Sequence, residues 1–369
     1  MIKVIHVLSD MKIGGAGIWL LNYLGAANKD RFDIKVVLPQ GSLLIDKVRR
    51  LGFEVVPVDG MKDKSFDAGA ISLMTGIFRK ERPQIVHTHA SLSARLAAKI
   101  AGAKIINTKH CIEGRKAGIG RFAYSLLNNL LSDGIIAVSS AAKQGMIENG
   151  VSGDKISLIY GGIGQVKELD TEERSRIRNK WGIAEGDVVV GIVARLAKVK
   201  GHNYFINAAE IISRDNNNVK FLIAGAGPME KELKELARRL GLADRIIFTG
   251  FVENTYEIFN IMDINVISSL SEALCLSLIE GMNLGKPSVA SNTGGIPEVV
   301  KDGFNGYLVP VGDHSMLAER ILELIHDPEL RKTMGDRGRE LVVRHFAADA
   351  MARGIEKLYE NVIKDNERV

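Results

Sequence analysis

Residues 264–300, INVISSLSEALCLSLIEGMNLGKPSVASNTGGIPEVV, predict a strand, a loop, a helix and a second strand in succession. The apolar runs INVISS and PSVAS have the composition of buried strands. The helix is predicted to start near Leu276 or Ser277, which puts Glu280 in its first turns and Glu272 in the preceding loop. Eight helical residues turn by about 800°, so the two carboxylates would lie about 80° off a common face. A loop followed by a helix therefore explains the pair better than one helical stripe.

The same alternation of apolar strand and amphipathic helix extends towards both ends of the chain. The first half contains further runs with strand composition, namely IKVIHVL, FDIKVVL, FEVVPV, QIVHTH, AKIINTK, GIIAVS and KISLIY. The second half adds VVVGIVARL, VKFLIAGAG and RIIFTG. Near-continuous apolar strands that alternate with helices indicate parallel sheets covered on both faces. The sequence thus predicts an α/β fold with two doubly wound, Rossmann-like domains whose strand ends face one cleft.

The alternation breaks near residue 160, where YGGIGQVKELD is first rich in glycine and then charged. We place a linker at 161–170 and domains at 1–165 and 166–345. A length of 369 residues suits two domains of ordinary size. From about residue 328 onward only helical patterns occur, so the chain is predicted to end in helices.

Composition excludes several classes of protein. The chain is 46% apolar and 25% charged, which suits folded domains with sizeable cores. No apolar segment reaches the about 18 residues of a membrane span, and the N-terminus is too short and strand-like for a signal peptide. Cys111 and Cys275 fit no metal or disulfide spacing, which predicts reduced thiols in a cytoplasmic protein. With 6% aromatic residues and no basic stripe with stacking side chains, a nucleic-acid partner is not expected.

Charge is distributed unevenly along the chain. Residues 1–165 carry 22 Lys and Arg against 13 Asp and Glu, a formal charge of +9, and the remainder carries −4. Either the first domain meets an anionic partner, such as a membrane surface, or its surface is simply solvated. The segment 114–134 starts with basic residues, and apolar residues then follow at helical spacing: Ile119, Phe122, Leu126 and Leu130. We expect this helix to face the core, with a membrane-surface helix as the alternative.

Glycine-rich turns follow two predicted strands. Gly14, Gly15 and Gly17 lie where a strand passes into a helix, a position that lets backbone N–H groups approach a phosphate or sugar. A tight structural turn is the alternative. Gly225 and Gly227 follow a later strand but lack the third glycine of a dinucleotide fingerprint, so they predict a nucleotide-facing turn and not an NAD site.

Two cations lie in the loop of VARLAKVKG. Arg195 and Lys200, five residues apart at the end of a strand, can straddle a diphosphate, since arginine supplies a planar fork and lysine a point charge. A solvated basic loop is the alternative.

The loop after INVISS adds further groups that bind ligands. Free backbone N–H groups are expected around Ala273, Leu274 and Cys275, ahead of the predicted helix. The carboxylates of Glu272 and Glu280 accept hydrogen bonds from vicinal hydroxyls, so their spacing suits a sugar and a ribose.

Three histidines follow or end predicted strands: His87, His89 and His110. A zinc site at the first two would need a third ligand, and none is evident. Capping or a hydrogen bond to a hydroxyl is the simpler role. No D-x-D sequence occurs, which argues against a divalent metal that carries a diphosphate. We therefore expect neither a metal nor another cofactor.

Together these motifs resemble the family 4 retaining glycosyltransferases, which have the GT-B fold. The resemblance covers nearly the whole chain and is strongest over residues 190–310. The E-x7-E motif of the family corresponds to Glu272 and Glu280, and its arginine–lysine pair to Arg195 and Lys200. Its glycine-rich N-terminal loop looks like GGAG, its histidine looks like His110, and GGIPEVVKDGFNGYLVP is also typical.

The resemblance implies roles in transferring a sugar, with retention, from a UDP- or GDP-sugar to a glycan, lipid-linked or small-molecule acceptor. Arg195 and Lys200 would hold the diphosphate leaving group in place of a metal. Glu280 would bind the ribose. Glu272 would bind the sugar, and His110 would contact it near the reacting carbon. The remaining donor-binding positions would be Gly14, Gly15, Gly17, Gly225, Gly227, Phe251, Val252, Ala273, Leu274, Cys275 and Leu276.

The resemblance also implies that the first domain reads the acceptor, that the second binds the donor, and that a last helix, about 346–369, packs back on the first. The expected location is the cytoplasm or the inner face of the cell membrane. Ala273 and Cys275 stand where relatives often have glycine, so the donor sugar stays open. Two alternatives remain, a nucleotide-sugar epimerase or hydrolase of the same fold and a non-catalytic sugar-nucleotide-binding protein.

Overall fold

A computed structural model describes residues 1–62, 64–164 and 166–364. The chain divides into two compact units. The first is formed by Met1–Gly164 and the segment that starts at Phe346, and the second by the residues up to His345 that lie between them. Gln165, at the boundary placed from the sequence, and residues 365–369, at the end of the expected last helix, lie outside the described residues.

The described part of the first unit contains a sheet of seven parallel strands in the order β3-β2-β1-β4-β5-β6-β7. Each expected strand of the first half is present. The strands are β1 Ile2–Val7, β2 Phe32–Pro39, β3 Glu54–Val58, β4 Ile85–His89, β5 Lys104–Lys109, β6 Gly134–Ala137 and β7 Ile156–Leu158.

Helices connect these strands, and several begin at a side-chain cap. The helices are α1 Gly15–Ala26, α2 Ile45–Arg50, α3 Ala68–Glu81, α4 Leu92–Ala101, α5 Gly118–Leu130 and α6 Ser140–Glu148. Asp67 caps α3, Ser91 caps α4 and Ser139 caps α6, each by accepting a hydrogen bond from a backbone N–H of the first turn. The helices α3, α4 and α6 therefore start where a side chain satisfies one of the free N–H groups of the first turn.

The second unit repeats the arrangement with six described parallel strands in the order β10-β9-β8-β11-β12-β13. These are β8 Val188–Val193, β9 Val219–Ala224, β10 Ile246–Gly250, β11 Ile264–Ile267, β12 Ser288–Ser291 and β13 Gly306–Val309. Strand β13 was not predicted, because GYLV is too short to form a clear pattern in the sequence. The predicted α/β architecture of two doubly wound sheets is otherwise confirmed.

The helices of the second unit cover both faces of its sheet. They are α7 Thr171–Lys180, α8 His202–Ser213, α9 Glu230–Arg239, α10 Thr255–Ile261, α11 Leu276–Asn283, α12 Ile296–Val299, α13 His314–His326 and α14 Pro328–His345. Asp170 and Glu173 form a capping box at the start of α7. As predicted, α11 begins at Leu276, so Glu280 lies within it and Glu272 lies in the loop before it.

The last helix, α15 Ala348–Lys364, belongs to the first unit. Tyr359 is fully buried there, and the Glu356 carboxylate accepts a hydrogen bond of 2.8 Å from the backbone N–H of Asn28. At the entry to this helix, Gly162 packs so tightly that a Cβ would lie 2.5 Å from the carbonyl oxygen of Ala347. Only glycine fits this contact.

The expectation that α5 faces the core is wrong. Ile119 is 88% exposed and Phe122 68% exposed, and Leu126 and Leu130 are exposed as well. Helical spacing identifies an apolar face but does not say what covers it. Among the described residues, no helix combines the length and the apolar character needed to cross a bilayer.

Candidate active site

Each sheet has one place where the strand order reverses direction. In the first unit this switch point lies between β1 and β4, and in the second it lies between β8 and β11. Ligands of open α/β sheets bind beyond the carboxyl ends of the strands at such points. The loops after these strands carry most of the residues that the sequence analysis singled out.

The loop after β8 carries Arg195 and Lys200. Arg195 is exposed, and no described side chain or carbonyl group pairs with its guanidinium. Lys200 ends a short 3₁₀ turn, and its Nζ lies 2.5 Å from Oε1 of Glu272. The loops after the two switch-point strands are therefore joined by an ion pair next to an unpaired guanidinium.

Glu272 is buried, and both its carboxylate and its main-chain oxygen accept hydrogen bonds. Its Oε1 also accepts a hydrogen bond of 2.8 Å from Ser269 Oγ, and its main-chain oxygen accepts one of 3.0 Å from the N–H of Gly295. Burial acts to lower the pKa of Lys200, but the charge and hydrogen bond of Glu272 outweigh it and raise this pKa above its usual value. The ammonium group thus stays charged in a partly desolvated place.

Three glycines allow the loops of this switch point to pack backbone against backbone. A Cβ on Gly201 would lie 2.0 Å from the oxygen of Ser268, and one on Gly225 would lie 2.0 Å from the oxygen of Ala194. A Cβ on Gly227 would lie 2.3 Å from the oxygen of Leu196. Loop packing thus accounts for Gly225 and Gly227 without a ligand, and their contact with a nucleotide stays a prediction.

The start of α11 is free of side-chain caps and of acidic residues in its first turn. Cys275 occupies the N-cap position, and both Ala273 and Cys275 are buried. Burial raises the pKa of the Cys275 thiol to about 11, so it stays protonated at neutral pH. The helix therefore offers uncompensated backbone N–H groups, which favour an anion or a hydroxyl oxygen.

Glu280 differs from Glu272 in having almost no partners. Its one described hydrogen bond comes from Thr255 Oγ1, at a long 3.4 Å. Burial raises the pKa of its carboxyl group to about 7. A desolvated carboxyl with so few partners is costly to ionise, and hydroxyl donors from a ligand would remove that cost.

Two further predicted positions follow β10. Phe251 is 58% exposed, whereas Val252 packs against the apolar core beneath the sheet. Phe251 can therefore meet a ligand with an exposed side chain, whereas the side chain of Val252 is partly buried. Leu274 and Leu276 are both partly exposed beside the start of α11.

In the first unit, the glycines after β1 have different surroundings. Gly14 is the N-cap of α1, and a Cβ on Gly15 would meet no atom within 4 Å. Gly17 is buried, and a Cβ there would lie 3.0 Å from Leu44. The first two leave the start of α1 open to a ligand, whereas packing explains the third.

The histidines of the first unit form a hydrogen-bonded cluster. His110, directly after β5, places Nε2 at 2.9 Å from Nδ1 of His89. His89 Nε2 lies 3.2 Å from Nδ1 of His6, a residue of β1 that the sequence analysis did not select. The Trp19 ring packs in T-shaped contacts with His87, His89 and His110.

A metal site in this cluster was an alternative suggested by the sequence. His6 supplies the missing third nitrogen, since ligand atoms of His6, His87 and His89 lie within 4.8 Å of one another. However, all six ring nitrogens of these residues already take part in hydrogen bonds with one another or with His110, Tyr359 and Thr108. The cluster is therefore better explained as a hydrogen-bond network than as a metal site.

The structure thus brings Arg195, Lys200 and Glu272 together at one switch point, while Gly17, Gly225 and Gly227 have sufficient reasons in packing. It also adds residues that the sequence analysis missed. His6 could have been noticed as a histidine in an otherwise apolar strand. The sequence could not indicate a role for Tyr359, because this residue lies 272 residues from its partner His87.

Comparison with known proteins places both halves of the chain in glycosyltransferase families. The sequence model of the family described as "Glycosyl transferases group 1" matches residues 173–341, and that of "Glycosyltransferase Family 4" matches residues 13–164. The putative glycosyltransferase EpsD of Bacillus subtilis is 30% identical over 278 residues, which cover 72% of this chain and 73% of that protein. N-acetyl-alpha-D-glucosaminyl L-malate synthase of Bacillus anthracis is 28% identical over 314 residues, which cover 82% and 81%.

Solved structures show the same fold. The crystal structure of Anabaena Alr3699/HepE in complex with UDP and glucose has a TM-score of 0.88 to this chain and is 22% identical in sequence. The match covers 98% of this chain and 100% of that one. The two doubly wound units are thus those of the GT-B fold, and the chain belongs to the family 4 glycosyltransferases.

Proposed function

We propose that this glycosyltransferase moves a sugar, with retention of anomeric configuration, from a UDP- or GDP-sugar to an acceptor and needs no divalent metal. The observation that carries the proposal is the arrangement at the switch point of the second unit. An unpaired guanidinium, a partly buried lysine–glutamate pair and an almost unpartnered carboxyl group meet the open start of a helix there. These groups match the diphosphate, sugar and ribose of one nucleotide sugar.

The roles follow from charge and hydrogen-bonding capacity. Arg195 and Lys200 hold the diphosphate and stabilise the negative charge that grows on it as the glycosidic bond breaks. Glu280 accepts hydrogen bonds from the ribose, and Glu272 accepts them from the transferred sugar. Backbone groups of Phe251 and Val252 contact the base.

The reaction itself exchanges one bond for another at the anomeric carbon. The bond to the diphosphate oxygen breaks, and the acceptor oxygen bonds to the same face of that carbon. The proton of the acceptor hydroxyl passes to the departing phosphate. His110 contacts the sugar, and Gly14 and Gly15 leave room for it beside the start of α1.

The acceptor is proposed to be a glycan, a lipid-linked glycan or a small molecule, in the synthesis of polysaccharide or cell envelope. The name of the Bacillus anthracis relative, an N-acetylglucosaminyl malate synthase, supports the small-molecule option. UDP in the Anabaena structure supports UDP as the first nucleotide to test.

A panel of UDP- and GDP-sugars, with free nucleotides alongside, tests the function. A thermal-shift measurement should show stabilisation by one class, since a ligand at 100 times its Kd adds about 2.7 kcal/mol to the free energy of unfolding.

Turnover of that donor should persist in EDTA, because Arg195 and Lys200 supply the cations. Loss of activity in EDTA that Mn²⁺ restores would contradict the metal-free mechanism, and binding of no nucleotide would contradict the function.

We also propose that α5 docks on an anionic bilayer at the inner face of the cell membrane. Its exposed apolar residues include Ile119 and Phe122, and the basic residues Arg115, Lys116 and Arg121 flank them. An apolar face bordered by cations matches the acyl and phosphate layers of such a bilayer. The net charge of +9 on residues 1–165 favours the same partner.

Flotation of the full chain with vesicles tests this docking. Binding to vesicles that contain anionic lipid should fall at high salt and in the Ile119→Ser/Phe122→Ser variant, which should keep its turnover of a soluble acceptor. Leu158→Ser, an exposed apolar residue outside α5, is the matched control and should bind as the wild type does. Equal flotation of all three proteins, or none by the wild type, would leave α5 without this role.

A further inference from the structure

The histidine cluster continues beyond the contacts of His110. His6 Nε2 lies 3.1 Å from the hydroxyl of Tyr359, which is a residue of the last helix, α15. The same hydroxyl lies 2.5 Å from Nδ1 of His87, whose Nε2 lies 2.6 Å from Oγ1 of Thr108. The contacts from His110 to Thr108 therefore form one continuous series of hydrogen bonds.

Sheet register and the last helix together build this series. His6 and His87 are directly paired between β1 and β4, and His89 is paired with Thr108 between β4 and β5. The ring planes of His87 and His89 stack at 4.9 Å. Tyr359 closes the gap between His6 and His87, which have no direct hydrogen bond to each other.

Every imidazole in the series is neutral at physiological pH. Burial lowers the pKa of His6 to about 3 and that of His110 to about 4, and it lowers the pKa values of His87 and His89 well below the usual range. A neutral imidazole has one N–H donor and one acceptor nitrogen. A ring that accepts a hydrogen bond at one nitrogen must therefore donate one from the other. The tautomer of each ring thus determines the tautomer of the next ring in the series.

Thr108 determines in which direction the hydrogen bonds of the series are donated. Its side chain is fully buried, and His87 is its one hydrogen-bond partner among the described residues. If Thr108 accepted a bond from His87, its own buried proton would have no partner, which is unfavourable. Thr108 therefore donates to Nε2 of His87, and Nδ1 of His87 donates to the oxygen of Tyr359.

The same direction of donation continues from Tyr359 to His110. The Tyr359 hydroxyl donates to Nε2 of His6, and Nδ1 of His6 donates to Nε2 of His89. Nδ1 of His89 in turn donates to Nε2 of His110. The remaining proton of His110 is left on Nδ1, which has no partner in the described part of the chain.

We propose that this relay, anchored by Thr108 and passed on by Tyr359, holds His110 in the Nδ1–H tautomer, so that His110 presents a hydrogen-bond donor to the transferred sugar. The proposal rests on the proposed function, in which His110 contacts that sugar. Tyr359 and Thr108 are positioning residues, because they act through the other rings. His110 then donates to a sugar oxygen and does not take the proton of the acceptor at Nδ1.

Nitrogen NMR of the ligand-free protein tests the tautomer without any substrate. In protein with ¹⁵N-labelled histidine, long-range ¹H–¹⁵N spectra distinguish the protonated from the bare ring nitrogen, and a His110→Gln variant assigns the signals. We expect His110 to carry its proton on Nδ1. A proton on Nε2 of His110 in the wild type would overturn the proposal.

Substitutions test whether the relay holds that tautomer. Tyr359→Phe and Thr108→Val should each let the His110 signals move towards the Nε2–H form, while Thr108→Ser, which keeps the hydroxyl, should restore the wild-type pattern. Thr88→Val is the matched control, because Thr88 is equally buried on the same strand as His87 but bonds to Asn107, outside the relay. Unchanged His110 signals in both relay variants would overturn the proposal.

Kinetic measurements distinguish an error in the relay proposal from an error in the proposed function. With a donor in hand, both relay variants should lower kcat about tenfold, the value of one hydrogen bond, and leave the Kd of free UDP or GDP unchanged. An equal loss in Thr88→Val would indicate general damage to the sheet and would contradict a role for the relay. Absence of turnover in the wild type with every sugar nucleotide would refute the proposed function and leave the NMR result standing.

Discussion

Arg195→Ala should fold like the wild type and turn over its donor about 1,000-fold more slowly, as expected when a cation that stabilises the leaving group is removed. The guanidinium is exposed and has no partner among the described residues, so its loss removes no internal contact. Steady-state kinetics give the fall in kcat, and a thermal melt checks that Tm is unchanged.

Two variants in the same loop sharpen this test. Arg195→Lys keeps the charge but loses the planar fork that binds two phosphate oxygens, so it should recover only part of the loss. Lys198→Ala removes an exposed lysine of that loop and should stay within about twofold of wild-type activity, as usual for a surface change without a contact. An active Arg195→Ala, or an equal loss in Lys198→Ala, would show that general surface charge, and not Arg195, serves the reaction.

Glu272→Gln should lower kcat by about 100-fold while free UDP or GDP still binds at least as well as to the wild type. The sugar gains positive charge as its bond to phosphate breaks, and a carboxylate stabilises that charge whereas an amide does not. The change also frees Lys200, whose ammonium lies 2.5 Å from Glu272 in the structure. A freed ammonium binds phosphate better, so nucleotide affinity should not fall.

Glu280→Gln should behave in the opposite way. Ribose hydrogen bonds form equally in the ground and transition states, so their loss should raise the Kd of free nucleotide by about 10- to 100-fold, with a smaller change in kcat. Calorimetry with both variants separates the two roles. Wild-type affinity for the nucleotide in Glu280→Gln would refute the ribose assignment.

Protonation of Glu280 gives an independent measurement. Its pKa is raised to about 7 by burial, so near neutral pH about half of the free protein molecules hold a proton that ribose donors should expel. Nucleotide binding should release this proton in the wild type but not in Glu280→Gln, which appears as a different dependence of the binding enthalpy on the buffer.

The same raised pKa affects stability. The folded state binds the proton more tightly than the unfolded chain, so wild-type stability falls as pH rises from about 4.5 to about 7. Relative to the wild type, Glu280→Gln should therefore gain Tm between pH 5 and pH 8. A constant difference in Tm across this range would mean that the carboxyl group titrates normally.

Most of the fold could be predicted from the sequence, because parallel strands buried on both faces appear as apolar runs separated by amphipathic helices. The start of α11 at Leu276 and the separate placement of Glu272 and Glu280 follow from local spacing alone. The short strand β13 was not predicted, because four residues are too few to show a recognisable hydropathy pattern.

The surroundings of the predicted residues came only from the tertiary structure. Sequence placed Lys200 and Glu272 in different βα units but gave no sign that they form an ion pair, since the contact spans 72 residues. It predicted a core position for α5 because periodicity identifies an apolar face but not its cover, and that face is exposed. It suggested ligand contacts for Gly17, Gly225 and Gly227, where packing is a sufficient reason for glycine.

The sequence by itself determined the α/β class, the alternation of strands and helices and the residue types of the donor site, because each depends on neighbours along the chain. Tertiary structure alone decided which of these residues are paired, which are desolvated and which are left open. The difference between Glu272 and Glu280 shows why. Both are glutamates of one motif, but the first meets a lysine and a serine while the second is half-buried with one long hydrogen bond, and only folding creates those surroundings.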